Sequence, residues 1–572
     1  MPVYNSDVAD IFKRVADLLE IEGANPFRVR AYRNAARTVE TLSKNIGDMV
    51  ENEEDLTALD GVGEDMAAKI EEIVKTGDLE QLEEIESRVP PALGDMLDIT
   101  GLGPKRVEKI HKALGVNDLD DLREAAAAGE IEKLEGLGPK TQQKIIEDLE
   151  KAQSKEKRTK LSVAEELVEP LQDYLKGIKG VERVQTAGSY RRRKETVGDL
   201  DILATGAEGE KIIDQFVSYE DVEKVVSQGE TRSTVLLRLG IQVDLRVVPE
   251  ESYGAALLYF TGSKPHNIAL RNMALDQDLK INEYGVFQDE ERIAGETEAE
   301  IYGLFDLPVI PPELREQRGE IEAASEGDLP TLVTLEDIRG DLQTHTTASD
   351  GHASLKEMAE AAQDRGNAYL AITDHSSRVA VTQGLDADEL RERIDEIDEL
   401  NETLEGFQLL KGIEIDVLED GTLDLPDEVL ERLDLTLFAI HSHFGLSQDK
   451  QTERIIRAMD NPHVNILAHP TGRLIGERPA YNVDMERVIE AALERGCFLE
   501  INAQPDRLDL DDVYCKMAKE MGLKLAISTD AHRVSELAYM RFGIGQARRG
   551  WLEADDVLNT KRWDELKSIL ER

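Results

Sequence analysis

The chain has 572 residues, with 118 Asp and Glu against 68 Lys and Arg and a formal net charge of -50 at pH 7. That length exceeds a single core and implies several domains, while only two cysteines, Cys497 and Cys515, exclude a disulfide framework. So acidic a field repels nucleic acid, membranes and phosphorylated substrates at low salt, and suits a high-salt cytoplasm whose ions screen the self-repulsion, the plainer alternative being an ordinary acidic protein of a mesophile. The start, MPVYNSDVADIF, lacks a basic segment followed by an apolar one. With no apolar run of about 18 residues, no membrane association and a cytoplasmic location are expected.

Up to about residue 150 the pattern is helical and contains three copies of one motif: LDGVGEDMAAKI from Leu59, ITGLGPKRVEKI from Ile99 and LEGLGPKTQQKI from Leu134. The pairs Gly61 and Gly63, Gly101 and Gly103, and Gly136 and Gly138 permit tight turns, each followed by a helix whose first N–H groups suit a phosphate. This is the helix-hairpin-helix pattern, which grips a nucleic-acid backbone without reading bases. One copy is equally well a Gly-rich helix connection; three favour backbone binding.

After the basic connector KAQSKEKRTK (Lys151 to Lys160), strands and helices mix. Candidate strands are VERVQTAGS, GDLDILAT, STVLLRLG and IQVDLRVVP, the last two forming a hairpin across a Gly turn. The polar stretch REQRGEIEAASEGDLP (Arg315 to Pro330) reads as an interdomain linker. Beyond it, DLQTH, AYLAITDH, QLLKGIEID, LTLFAIHSH, VNILAHP, CFLEINAQ and KLAISTDAH alternate with helices, as in a parallel barrel of about seven βα units.

Two sets of side chains carry chemistry. Asp199 and Asp201 share one face of a strand, and Asp244 in IQVDLRVV lies opposite an apolar face. Three converging acids need divalent cations between them, which suggests a two-metal site with Ser189 and the run RRRK (Arg191 to Lys194) as a phosphate pocket. The plainer reading makes D-x-D a strand end and RRRK a solvated turn. Eight of the 10 histidines lie from His345 to His532, mostly at strand ends, where a barrel gathers its ligands. With Asp350, Glu414, Asp530 and Asp374 they suit several clustered Zn, Mn or Fe ions and phosphoester hydrolysis.

GSYRRRKETVGDLDIL, VDLRVV, YFTGSKPHNIALR and INEYGVF, in that order, resemble the X family of DNA polymerases, the group of polymerase beta, over residues 1 to 318. The resemblance implies that Asp199, Asp201 and Asp244 hold catalytic Mg²⁺ or Mn²⁺, and that Gly188, Ser189, Arg192 and Gly198 contact the phosphates of an incoming dNTP. Tyr259 and Phe260 would lie along its sugar, Gly262 would join the nucleotide-binding set, and Asn267 and Arg271 would face the minor groove. It also implies a lyase site with Lys69 as Schiff-base nucleophile and Arg28 and Tyr32 on a 5′-phosphate. The departure is that Glu64 and Asp65 stand where polymerase beta is basic.

DLQTHTTASDG, ITDHS, GIEIDV, IHSHF, LAHPTGR and STDAH resemble the polymerase and histidinol phosphatase (PHP) domain over residues 337 to 572. His345, Asp350, His375, Glu414, His441, His469, Asp530 and His532 would then ligate a trinuclear site of Mn²⁺ or Zn²⁺. Gln343 replaces the first imidazole, and His352, His443 and His463 stand outside the ligand set.

The expected architecture is a helical lyase-like domain (1–82), helix-hairpin-helix fingers (83–150), an α+β nucleotidyltransferase palm (151–250), a thumb (251–318), a linker (319–336) and a distorted (β/α)7 PHP barrel (337–572). The expected protein is a monomeric repair polymerase of bacterial or archaeal type, with the acidic surface pointing to a haloarchaeal version. It would fill gapped or nicked DNA, and the barrel would act as phosphoesterase or 3′–5′ exonuclease on DNA ends. The rival is a histidinol-phosphatase-like enzyme with a vestigial DNA module, against which the three hairpin motifs argue.

Overall fold

The computed structural model describes residues 5–40, 46–52, 54–59, 61–86, 88–90, 93–94, 96, 99, 102–134, 137–138, 141–146, 158–378 and 384–571. They fall into two compact units that divide between Lys157 and Arg158.

In the first unit the helix Asn5–Glu22 buries Val8, Phe12, Val15 and Leu19, a stripe at helical spacing, with Tyr32, Ala35, Ala36 and Val39 of Pro26–Glu40 in the same core. The hairpin motif repeats in hydrogen bonds as well as in letters. Val62 N donates to Leu59 O at 3.1 Å, Leu102 N to Ile99 O at 2.9 Å and Leu137 N to Leu134 O at 2.9 Å. Gly63 and Gly103 then cap the helices Glu64–Thr76 and Pro104–Leu114, and Gly138 precedes helical residues 141–146.

The second unit begins with a five-stranded sheet in the order Val181–Thr186, Asp199–Gly206, Gln242–Val248, Arg232–Leu237, Val222–Gln228. The second and third of these are parallel and the other pairs antiparallel, with the expected hairpin turning at Gly240. Alternation sends Leu200, Ile202, Ala204, Val243, Leu245 and Val247 into a core with Val168, Leu171 and Leu175 of the helix Leu161–Lys176. The same alternation leaves Asp199, Asp201 and Asp244 on the opposite face.

Helices Tyr253–Thr261 and Lys264–Asp276 follow, then a three-stranded antiparallel sheet, Leu279–Asn282, Gly285–Gln288 and Glu291–Ala294. The stretch read as a linker is not loose chain. Arg315 is fully buried and donates to Ile310 O at 2.9 Å and Glu298 at 2.6 Å, and the helix Glu320–Glu326 places Ile321 and Ala324 in this core. Buried Glu320 lies 2.6 Å from His266 Nδ1, whose Nε2 is 2.8 Å from the Tyr302 hydroxyl. Polar composition misleads here because the charges are paired inside rather than solvated.

The barrel strands Gly340–Asp341, Tyr369–Ile372, Gln408–Asp416, Leu435–Ala439, Ile466–Leu467, Phe498–Asn502 and Leu525–Ser528 are all parallel and lie in sequence order. A bridge between Thr344 and Ala531 brings first and last together. Among the described residues no helix is long and apolar enough to cross a membrane.

Candidate active sites

Asp201 and Asp244 are direct neighbours across the parallel strand pair, and Asp199 precedes Asp201 on the same face. Burial, and then the Asp199 and Asp244 carboxylates, push Asp201 up to about 7; burial and Asp244 also raise Asp199. Thr234 donates its hydroxyl to Asp244, and Gln242 donates at 2.8 Å. Gly188 opens the short helix Gly188–Arg191 at φ 60°, and a Cβ there would lie 2.5 Å from Asp201 Oδ2. Glycine is therefore required for the backbone around Ser189 to come this close to the acids. Gly198 precedes the acid strand, where an added Cβ would meet Arg158 Nη1 at 3.2 Å.

Tyr259 and Phe260 meet edge to face at 4.9 Å, with Arg271 over the first ring at 5.3 Å and Arg246 over the second at 4.3 Å. Asn267 donates to Tyr259 O at 2.7 Å. Arg246 also lowers Asp201, so it ties the ring platform to the acids. It lies two residues past Asp244, on the same strand face, and period-2 alternation could have found it.

The basic run goes elsewhere than expected. Arg191 forms a double contact with Glu298 at 2.9 and 2.7 Å, Arg192 reaches Glu316 at 3.0 Å, and Arg193 reaches Glu165 at 3.3 Å. Lys194 is 4.0 Å from Glu316. These four cations thus pair with carboxylates of the same unit instead of forming a free basic turn, because burial makes an unpaired guanidinium costly. Of the four, Arg192 lowers Asp201 and so lies nearest the acid cluster in effect.

In the first unit Lys69 lies over the Tyr32 ring at 5.9 Å and pairs with Asp65 one turn earlier. Tyr32 is buried, its hydroxyl donates to Gln81 at 2.5 Å, and the exposed Arg28 also interacts with that hydroxyl. Among the described residues nothing lies within 4 Å of where a Cβ on Gly63, Gly103 or Gly138 would stand; Gly61 sits at φ 71° against Asn34. Gly101 and Gly136 lie outside the described residues.

The barrel brings its eight expected ligands into one cup at the C-terminal strand ends. Three overlapping groups form among the described residues: His345, Asp350, His375 and His532; His375, Glu414 and His441; and His345, Glu414 and Asp530. His469 Nε2 lies 2.9 Å from Glu414 Oε1 and His345 Nε2 lies 3.0 Å from Asp530 Oδ1. His345 and His532 stack at 4.3 Å. Non-glycine residues His469, at φ 29°, and Asp530, at φ 52°, occupy the left-handed region, a strain characteristic of functional sites.

Gln343 is completely buried, and among the described residues neither of its side-chain amide atoms has a hydrogen-bond partner, nor does His345 Nδ1. Buried orphans of this kind, among carboxylates and imidazoles, fit metal ions. Asp374 does not join them: Thr346, Ser349 and Arg393 hold it. His352 and His443 are exposed and His463 is half-buried, all outside the cup groups.

Burial lowers His375 to about 4 and also lowers His469, leaving both neutral. Burial opposes the charge on His441 and His532 too, but Asp416 and Glu414 hold the first at about 9, and Asp350 and Asp530 hold the second at about 10. Both raised values mean stability that is complete below the free-histidine range and lost as pH rises through about 9 to 10. Metal must displace those protons. Divalent-ion binding to the barrel is therefore expected to release about two protons near pH 7.5 and to tighten with rising pH. Calorimetry in buffers of different ionisation heat reads this directly, and a binding heat independent of buffer would contradict it.

Four further cup residues stand outside the expected ligand set. Asp416 lies 3.4 Å from His441 Nδ1, and Asn502 bridges Glu500 and Asp530 at 3.1 and 3.0 Å. Burial and the Asp530 carboxylate raise Glu500, and Arg507 stands 3.8 Å from Asp530. The repeats E-I-D and E-I-N, Glu414 to Asp416 and Glu500 to Asn502, were a readable signal, since alternate strand residues share a face.

Comparison with known proteins agrees with this layout. Family models match a helix-hairpin-helix domain (3–79), a SAM-like helix-hairpin-helix tandem (93–151), a DNA polymerase beta palm (160–255), a DNA polymerase beta thumb (256–316) and a PHP domain (341–504). The DNA polymerase/3′-5′ exonuclease PolX of Bacillus subtilis (strain 168) is 38% identical across 100% of both chains. A probable phosphatase of Thermoanaerobacter sp. (strain X514) is 34% identical over 38% of this chain and 90% of its own, and one of Syntrophotalea carbinolica is 26% identical with the same coverage. Palm, thumb, hairpin repeats and barrel thus recur in one relative from end to end, and the chain belongs to the X family of DNA polymerases, in the branch that carries a C-terminal PHP domain.

Proposed function

We propose that the chain is a DNA-directed polymerase that fills short gaps in DNA repair, with a barrel that removes nucleotides or phosphates from DNA ends. The observation that carries the polymerase half is the triad Asp199, Asp201 and Asp244 on adjacent parallel strands, with the Gly188 turn against it. Mg²⁺ or Mn²⁺ held there would stabilise charge on a triphosphate and activate the attacking hydroxyl. Around it, Ser189 and Arg192 take phosphate, Tyr259 and Phe260 support the sugar, and Asn267 and Arg271 meet the nascent pair. In the barrel Gln343 joins His345, Glu414 and Asp530 as an oxygen donor, which favours Mn²⁺ over Zn²⁺ at that position.

The division we propose is lyase-like helices (1–82), fingers (83–150), palm (151–250), thumb (251–318), the ordered connection 319–336 and the barrel (337–572). The glycine turns hold the DNA backbone. Lys69 serves a lyase reaction only after it leaves Asp65, because the paired ammonium is not a nucleophile. The protein acts as a cytoplasmic monomer.

A gapped duplex with dNTPs and Mg²⁺ or Mn²⁺, scored for extension and degradation, tests the whole reading; neither activity at any salt would refute it. A salt titration tests the proposed high-salt adaptation. With a net charge of -50, activity should rise several-fold (about 3-fold or more) to a maximum at high salt, because DNA can approach only once the surface is screened. A steady fall from low salt upward would contradict it.

A further inference from the structure

Arg549 ends the helix Met540–Arg549 of the barrel, yet its buried guanidinium works outside the barrel. Its Nη1 donates to the main-chain carbonyl of Arg192 at 2.9 Å and to Glu316 Oε1 at 3.0 Å, while Nη2 donates to Asp512. The same Glu316 oxygen accepts Arg192 Nε at 3.0 Å, so one barrel residue holds both the backbone and, through a shared carboxylate, the side chain of Arg192. Arg192 Nη1 in turn donates to Thr261 O at 2.5 Å, and an added Cβ on the next residue, Gly262, would stand 3.3 Å from that nitrogen.

We infer that Arg549 is a positioning residue for the polymerase's nucleotide site, a contribution of the barrel to the other catalytic centre. The inference rests on the reading of Arg192 as a phosphate contact. An arginine side chain loses substantial rotamer freedom when it is fixed, and one already fixed loses less on meeting a triphosphate. Holding Arg192 in place therefore lowers the KM for dNTP and leaves the chemical step largely unchanged.

Other ion pairs join barrel and palm without touching a nucleotide residue. Arg473 reaches Glu195 at 2.7 Å, Lys160 reaches Asp506 at 2.6 Å, and Arg541 reaches Glu165 at 2.9 Å. They separate positioning from adhesion. In the full-length protein, Arg549→Gln and the isosteric Glu316→Gln are each expected to raise the KM for dNTP about 10-fold, with kcat and 3′-end release within about 2-fold of wild type. Arg549→Lys should recover part of the loss, Arg541→Gln should leave the KM unchanged, and on an Arg192→Ala background Arg549→Gln should add nothing. If Arg549→Gln and Glu316→Gln leave the KM where Arg541→Gln leaves it, or if the Arg549 and Arg192 effects add, the inference is overturned while the function stands. If Arg192→Ala leaves the KM unchanged, the reading of Arg192 fails and the inference falls with it.

Discussion

Asp201→Asn should lower nucleotide addition by about 10³-fold or more, leave release from 3′ ends within about 2-fold, and make the metal-free protein more stable. The first effect follows from removing an anionic ligand from the triad, and the second from the absence of any residue common to triad and cup. The third follows from the raised carboxyl. Asp201 sits at about 7 in the folded chain, above its value in the unfolded one, so the fold binds the extra proton between about pH 4 and 7 and loses stability as pH rises through that window. The amide carries no such penalty. After allowance for solvent screening we expect a gain of about 2 kcal/mol at pH 8 and almost none at pH 4, read by thermal melting in chelator. A mutant that melts earlier than wild type at pH 8, or that loses end release, would defeat the account.

Glu414→Gln should have the converse effect, a loss of end release of about 10³-fold with polymerisation retained. Glu414 belongs to two of the three ligand groups and faces His345, His375, His441 and His469. Of these, His375, His441 and His469 hold its carboxyl well below the usual range against the opposing effect of burial. Removing one partner from a buried set of charges costs roughly 3–5 kcal/mol, so the metal-free barrel should weaken as bound metal falls. Asp350→Asn touches only the group of His345, His375 and His532 and should lose less metal. Metal content and melting of both variants beside wild type check this ordering; equal losses would mean that Glu414 does not link the groups.

Much of this was legible because local rules suffice for it. Period-2 alternation places Asp199 and Asp201 on one face, the glycine motif repeats three times, and parallel strands deliver histidines to one end. The destinations of Arg191, Arg192 and Arg193 were not legible. Their partners Glu298, Glu316 and Glu165 lie far away in sequence, and no local spacing encodes a pairing that only the packed unit creates. Arg315 and Glu320 failed for the opposite reason, since their polarity imitated solvent exposure. Gln343 shows a third case: the substitution was visible, but only its burial without partners points to a ligand.

The seam between palm and barrel bears on how such an enzyme can be taken apart. Leu161 packs there with Leu508 and Phe542, beside Tyr190, Ile475 and Tyr539. The probable phosphatases match 38% of this chain over 90% of their own length, a share close to the size of the barrel. A fragment cut from this chain at residue 337 would turn an apolar patch to water and separate Arg549 from Glu316 and Arg192. Such a fragment invites self-association through the bared surface, and a soluble version calls for polar replacements at Leu508 and Phe542. The barrel face that meets the palm is interior in this chain.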